Sequence, residues 1–288
     1  MLAGLTLLTL LSPGIAQEGW SGDIDLFALE DGRLTLTPLA QGREQAEIHR
    51  SYELRSGVPI AWTMECRYDR RPSRYNTFAL DLFGIQTEAG LETYTLCPDP
   101  KGLEVRLVRT LSPASGKGKE EVLLRHTLTS PDESWRRVAL RAVYDGDRTM
   151  RLSMLSPEGG MRHADVAVQL GGRPEGLLSL RVKFTSGRMS STFWTEPTIS
   201  SPYRSPGQIR LLRSARRGDG TLVLYLSQPV DLSRAVALVG GRETRISYGE
   251  TLREVMLPVS SSSGSGPIEV RISGMETLDG PVGEWQTT

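Results

Sequence analysis

Two pairs of acidic residues have a spacing that sugar hydrolysis could use. Asp23 and Asp25 stand two apart, as do Asp145 and Asp147 on either side of Gly146. Alternate side chains of a strand share a face, and retaining glycoside hydrolysis needs two carboxyls about 5 Å apart. Each pair also has a plainer reading. Asp23 and Asp25 follow Gly22, where acids bond readily to nearby backbone and serve a turn; a calcium or sugar contact is the rival there. Asp145-Gly146-Asp147 has the composition that a hairpin turn itself requires. The pattern Glu-x-Asp-x-x-Glu, which would set such acids along one strand, does not occur. No catalytic residue is therefore assigned, and no binding residue can be singled out.

The other chemistry-bearing residues are sparse. His49, His126 and His163 are far apart, with no His-x-x-x-His or Cys-x-x-Cys spacing, so a metal site is not expected. No Gly-x-Ser-x-Gly elbow is present. Gly116-Lys117-Gly118-Lys119 lacks the spacing of a phosphate loop and reads as solvated. The two cysteines, Cys66 and Cys97, allow one pairing in an oxidising compartment; the unpaired state is favoured. Among the aromatics, Trp20, Trp194, Tyr203 and Trp285 lie near the ends of elements, where an exposed ring could stack on a sugar. Core packing is the stronger expectation for Trp62, Trp135 and Trp194. Arg67, Arg70, Arg71 and Arg74 could line a cationic rim, with nearby acids offsetting them.

Acidic and basic residues number 34 each, so no broad basic field awaits a nucleic acid. The 30 glycines and 17 prolines suit many short strands joined by turns. Residues 1–16, MLAGLTLLTLLSPGIA, have the apolar run and small residues of a secretory signal peptide, without a preceding basic residue. No later stretch is long and apolar enough to span a bilayer. The expectation is an exported protein, extracellular or on the cell surface.

The elements that must position any site are strands. In Trp135 to Leu155, Val138, Leu140, Ala142 and Tyr144 alternate with Ala139, Arg141 and Val143; after the Asp-Gly turn, Met150, Leu152 and Met154 alternate with Arg151 and Ser153. This predicts a hairpin with one face on a core and the other, bearing Arg141 and Arg151, in water. Weaker alternation recurs through residue 199, and no run of a dozen residues repeats apolar positions at helical spacing. A jelly-roll β-sandwich over 17–202 is expected. Residues 203–207 read as a linker. Six closely spaced strand candidates in 208–288 predict an immunoglobulin-like sandwich, with the serine-rich segment 260–266 as a loop inside it.

Two stretches carry a family resemblance. Trp20-Ser21-Gly22-Asp23, the following FALEDGRLTLTP and the closing MSSTFWTEPTI (189–199) are similar to the edges of a secreted Bacteroidetes module with a concanavalin A-like, laminin-G-like sandwich. Gly220 to Leu238, with Ser227, Pro229, Val230 and Asp231 on the pattern, resembles bacterial Ig-like domains. The resemblance implies a surface or secreted protein whose modules often precede lamin-tail domains. Those domains do not follow here, so a shortened member or a fragment is expected.

Taken together, the sequence predicts a non-catalytic binding or adhesion protein, with a glycan or a cell-surface protein as its partner. No cofactor is expected, a structural calcium ion being the one alternative. A carbohydrate-active enzyme with a degenerate motif and a purely structural spacer are the rival readings. Fold alone is a weak warrant for function, so the ligand rests on analogy.

Overall fold

The computed structural model describes residues 19–170, 174–204, 208–259 and 268–287. The leader-like segment 1–16, residues 205–207 of the expected linker and the serine-rich loop 260–266 lie outside the described residues.

The hairpin expected around Gly146 is present. Val138–Tyr144 pairs antiparallel with Thr149–Ser156, with Tyr144 opposite Met150 and Ala139 opposite Leu155. Its turn is built by Asp145, whose Oδ1 accepts the backbone N–H groups of Asp147, Arg148 and Thr149 at 2.8, 2.9 and 3.0 Å. Burial opposes ionisation of Asp145, but these bonds to the charged form outweigh it and hold the carboxyl below the usual range. Gly146 has φ +90°, and a Cβ there would lie 2.7 Å from the backbone N of Val58. Only glycine meets both demands cheaply.

Around this hairpin the chain forms two stacked antiparallel sheets. The back sheet runs Gly160–Ala167, Thr149–Ser156, Val138–Tyr144, Ile60–Arg67, Phe193–Thr195, Arg33–Leu36 and Phe27–Glu30. The front sheet runs Ser21–Gly22, Gln45–Ser51, Leu177–Lys183, Thr77–Thr87, Gly90–Pro98, Glu104–Ser112 and Lys119–Thr127. Alternate residues of each strand meet in one core, where Trp62 stacks on Phe83 at 5.6 Å and Phe83 on Tyr94 at 4.6 Å. Tyr68, Trp135 and Trp194 form a second aromatic group with edge-to-face contacts at 5.9 and 6.1 Å. The only α-helical turn among the described residues is Pro131–Ser134. The fold is all-β, as the sequence predicts.

From Leu211 onward, two four-stranded sheets and a three-stranded one enclose a separate core that includes Leu224, Val255, Ile272 and Trp285. The indole N–H of Trp285 donates to Ile209 O at 3.0 Å and closes this core. The short strands Glu276–Thr277, Gly280–Pro281 and Trp285–Thr287 were not foreseen, because two or three residues are too few for alternation to register.

One expectation is corrected. The outer face of the back sheet is wet only in part. Arg151 is exposed and pairs with Asp165 at 2.7 Å, but Arg141 is 5% exposed, and Ala139 and Leu155 are fully buried. The second sandwich covers them: Ala139 and Leu155 pack with Leu252 and Leu278. Alternation tells which side chains share a face; it cannot tell what lies on that face.

Candidate functional site

The outer face of the front sheet is where the structure gathers an open, chemically mixed surface. Its middle is a polar lattice. Arg181 engages Asp81 with two hydrogen bonds, Nε to Oδ2 at 3.1 Å and Nη2 to Oδ1 at 2.9 Å. The hydroxyl of Thr95 donates to the same Asp81 at 2.6 Å, and Ser179 donates to Glu47 at 2.7 Å. These contacts follow from register, which sets Arg181 opposite Ala79 and Glu47, and Asp81 opposite Ser179 and Thr95. A planar guanidinium meeting a carboxylate through two bonds is a geometrically fixed pair.

At one end of this lattice lies a groove of about 800 Å³ lined by Arg43, Gln45, Arg74, Tyr75 and Lys183. Gln45 and Lys183, paired in register, also line an adjoining hollow of about 300 Å³ that reaches Asp23, Glu47 and Arg181. The groove has three cations against one acid, Glu44. Tyr75 is 57% exposed, the largest exposure of any aromatic ring named here. The guanidinium of Arg74 rests 4.5 Å from the ring centroid, so cation and aromatic surface are presented together.

Local sequence explains why Tyr75 stands out. Ser73 and Asn76 exchange backbone hydrogen bonds at 2.9 and 3.1 Å, leaving Arg74 and Tyr75 at the tip of a tight turn. Asn76 is buried, and its Oδ1 accepts both N–H and hydroxyl of Thr185 at 3.0 and 3.1 Å, tying the turn to the end of Leu177–Lys183. On the other side Pro72 lies against Gly102, where a Cβ would sit 2.4 Å from Pro72 O. The groove is thus a rigid edge with mobile-length cationic side chains. Exposed charges contribute little individually; a ring that offers an apolar face and a polar tip adds stacking and one hydrogen bond. Such a surface can hold an anionic, hydroxylated chain.

The residues singled out from sequence have other fates. Asp23 lines the adjoining hollow, with Oδ2 accepting the N–H of Glu47 at 3.0 Å. Asp25 belongs to a 3-10 turn, Ile24–Leu26. Asp145 and Asp147 serve the hairpin turn. His126 is buried with Nε2 3.0 Å from Leu152 O, and His163 lies 2.8 Å from the Ser153 hydroxyl. These two are neighbours, and burial, with the nearby Arg162 and His163 adding to it, holds His126 below its ordinary pKa. His49 sits apart on Gln45–Ser51. Among the described residues no group of three or more His, Cys, Asp or Glu side chains could hold a metal ion. Cys66 and Cys97 are free.

All five tryptophans are buried, so none offers a ring to a sugar at the surface. Trp20 is the least obvious of them: its indole N–H donates to Glu196 at 3.1 Å and Arg50 covers its face at 4.7 Å. Tyr203 is half-buried, its N–H donating to Pro59 O at 2.6 Å and its hydroxyl to Asp279. The expected cationic rim disperses. Arg71 pairs loosely with Asp132 at 3.8 Å, Arg67 lies over Phe193, and Arg74 alone joins the groove. Arg43 and Lys183 were missed because Arg43 lies in the loop before Gln45–Ser51 and Lys183 stands opposite Gln45 at the end of Leu177–Lys183, so nothing in the local sequence joins them to Arg74.

No family model matches the chain, and no curated protein matches it. Solved structures with similarity to it include a legume lectin-like domain from Entamoeba histolytica, 7% identical with a TM-score of 0.45, covering 64% of this chain and 90% of that one. Lectin I-B4 from Griffonia simplicifolia is 11% identical with a TM-score of 0.43, covering 68% and 96%. An alginate lyase from Pseudomonas aeruginosa is 14% identical with a TM-score of 0.38, covering 61% and 86%.

Proposed function

We propose that the protein is a non-catalytic binding protein whose front-sheet groove takes an acidic glycan. The observation that supports this most directly is the exposed Tyr75 ring set among Arg43, Arg74 and Lys183 on a groove of about 800 Å³. A uronate-containing chain offers carboxylates to the cations and apolar sugar faces to the ring. The reading places the protein outside the cell, as the leader-like residues 1–16 suggest. It also takes 17–202 as the binding domain and 208–288 as an Ig-like domain, joined through 203–207. No described helix is long and apolar enough to cross a membrane.

Binding of polygalacturonate, compared with a neutral glucan, tests the proposal. Saturable binding of the acidic polymer that weakens in Arg74→Ala and Lys183→Ala is expected. Equal affinity for both polymers, or none for either, overturns it.

A hydrolytic reading is favoured by one observation: Asp23 and Glu47 line the same hollow. Both already hold structural hydrogen bonds, Asp23 from the Glu47 backbone and Glu47 from Ser179. Release of new reducing ends from the bound polymer, abolished in Glu47→Gln, would establish that reading over simple binding.

A further inference from the structure

The two sandwiches enclose a cleft that the front-sheet groove does not explain. It has a volume of about 480 Å³ and takes residues from both units, among them Thr63, Arg141 and Ser200 from the first and Arg210, Gln228 and Arg253 from the second. That volume lies within the roughly 300–1,000 Å³ typical of small-molecule sites.

Its polar groups are unevenly satisfied. Arg141 donates to Thr63 Oγ1 at 3.0 Å and lies 2.5 Å from Asp279. Arg253 is held by Glu65 and reaches Ser227 O at 3.3 Å. These two cations are neutralised by their own acids. Arg210 is different: it is exposed, and among the described residues no acid pairs with its guanidinium. Gln228 is different in the opposite way. It is 6% exposed, and its Oε1 is buried with no hydrogen-bond partner. A buried acceptor left unpaired costs free energy, which a turn of the Gln228 side chain toward a donor in the cleft would recover. The hydroxyl of Ser200 and the ring of Pro229 complete the wall.

The cleft therefore has one uncompensated cation and one unfilled buried acceptor, with hydroxyls beside them. One negative charge and at least one hydroxyl donor on the same small molecule would answer both. We infer that the cleft is a second binding site, for a polyhydroxylated monocarboxylate the size of a single uronic acid. The carboxylate meets Arg210 and a ring hydroxyl donates to Gln228 Oε1. A larger polyanion would gain only Arg210, since Arg141 and Arg253 already have partners. A neutral sugar leaves Arg210 unused, and a simple carboxylate leaves Gln228 unfilled. The site stands independently of the front-sheet groove, which shares none of its lining residues.

Calorimetric titration of the full chain with D-glucuronate, D-glucose and acetate tests the assignment. The expected result is saturable binding of D-glucuronate, at least ten-fold weaker binding of the other two, and a rise in Tm with D-glucuronate because the ligand binds the folded state. Arg210→Ala and Gln228→Leu should each weaken D-glucuronate ten-fold or more, with Arg125→Ala, an exposed arginine that lines neither the cleft nor the groove, leaving it unchanged. Arg210 is exposed, so its variant folds even if Gln228→Leu does not. Binding that survives Arg210→Ala but is lost in Arg74→Ala would move the ligand to the front-sheet groove and overturn the assignment. So would acetate binding as tightly as D-glucuronate, or no saturable binding of D-glucuronate by the folded protein.

Discussion

Arg141 and Asp279 face each other across the seam between the two sandwiches, Nη1 lying 2.5 Å from Oδ2, with side chains only 6% and 9% exposed. They are separated by 138 positions in the chain, yet each completes the other's burial. The seam is where the described chain spends its buried charge. Glu65, Arg141, Asp231 and Glu254 are all buried, and each meets a partner from the opposite sandwich. Arg33 adds to it, reaching Glu250 at 2.8 Å and Glu254 at 3.3 Å. The two units are consequently held in one arrangement, which is what gives the cleft between them a fixed shape.

Removing one member of the Arg141–Asp279 pair should cost about 3–5 kcal/mol, because it leaves the other charge buried and alone. Urea unfolding of Arg141→Met is expected to show that loss. The double variant Arg141→Met with Asp279→Leu should recover much of it, since an apolar pair is often no worse than a buried ion pair. A double variant as unstable as the two single losses added would contradict this account.

Binding at the front-sheet groove should be salt-sensitive. Its cations are exposed, and the screening length falls from ~10 Å to ~3 Å between about 0.1 M and about 1 M salt. Arg74→Ala and Lys183→Ala should each weaken an acidic polymer by a few-fold, matching the roughly 0.2–1 kcal/mol of an exposed charge contact. Tyr75→Ala should weaken it in a way that salt does not reproduce, because stacking is not screened.

His126 gives the protein a pH-dependent stability. Burial holds its folded-state pKa below the ordinary 6.5, with the carbonyl of Leu152 opposing in part. As the pH falls below 6.5 the unfolded chain takes up this proton first. The contribution is whole above that value and is lost as the pH drops toward the folded-state pKa. Urea midpoints measured at about pH 7.5 and about pH 5.5 should differ less in His126→Gln than in the parent, because the variant removes one of the groups whose charge changes in that range.

Gly146→Ala should destabilise by more than the ~1–2 kcal/mol of a left-handed alanine, because its Cβ would also strike the Val58 backbone at 2.7 Å. Gly187→Ala, where a Cβ meets nothing within 4 Å and no positive φ is imposed, is the matched control and should leave the midpoint nearly unchanged. Comparable losses in both would remove the steric explanation.

The thiols should be free and sluggish. Cys66 faces the core from the back sheet, and burial pushes its pKa well up; burial pushes Cys97 up to about 11, with the neighbouring Arg106 opposing. Mass analysis without reductant should find two free thiols. Alkylation of the native protein near neutral pH should be slow at Cys97 and slower at Cys66, and fast at both in denaturant. A disulfide, or rapid labelling of Cys66 in the native state, would contradict the placement.

Much of the first sandwich was legible because its strands are long. Val138 to Tyr144 and Thr149 to Ser156 alternate for seven and eight residues, enough to name the faces and the turn. The groove was not legible. Tyr75 depends on Asn76 reaching Thr185, and Lys183 meets Gln45 through register alone. The tryptophans at element ends pointed the wrong way: Trp20 and Trp285 are covered by Glu196 with Arg50 and by the Ile209 backbone, neither of which is adjacent in sequence.

By itself the sequence determined that this is a chain of short strands with apolar alternate positions, turned by Asp-Gly and similar pairs, and carrying no local catalytic motif. Those properties are written into neighbouring residues, through period-two geometry and the φ freedom of glycine. The tertiary structure decided what covers each face. It buried Arg141 against Asp279, exposed Tyr75 among cations from three separate segments, and left Gln228 unfilled in a cleft between two cores. These are contacts between residues far apart in the chain, fixed by packing and register once the sheets have formed, and no local pattern encodes them.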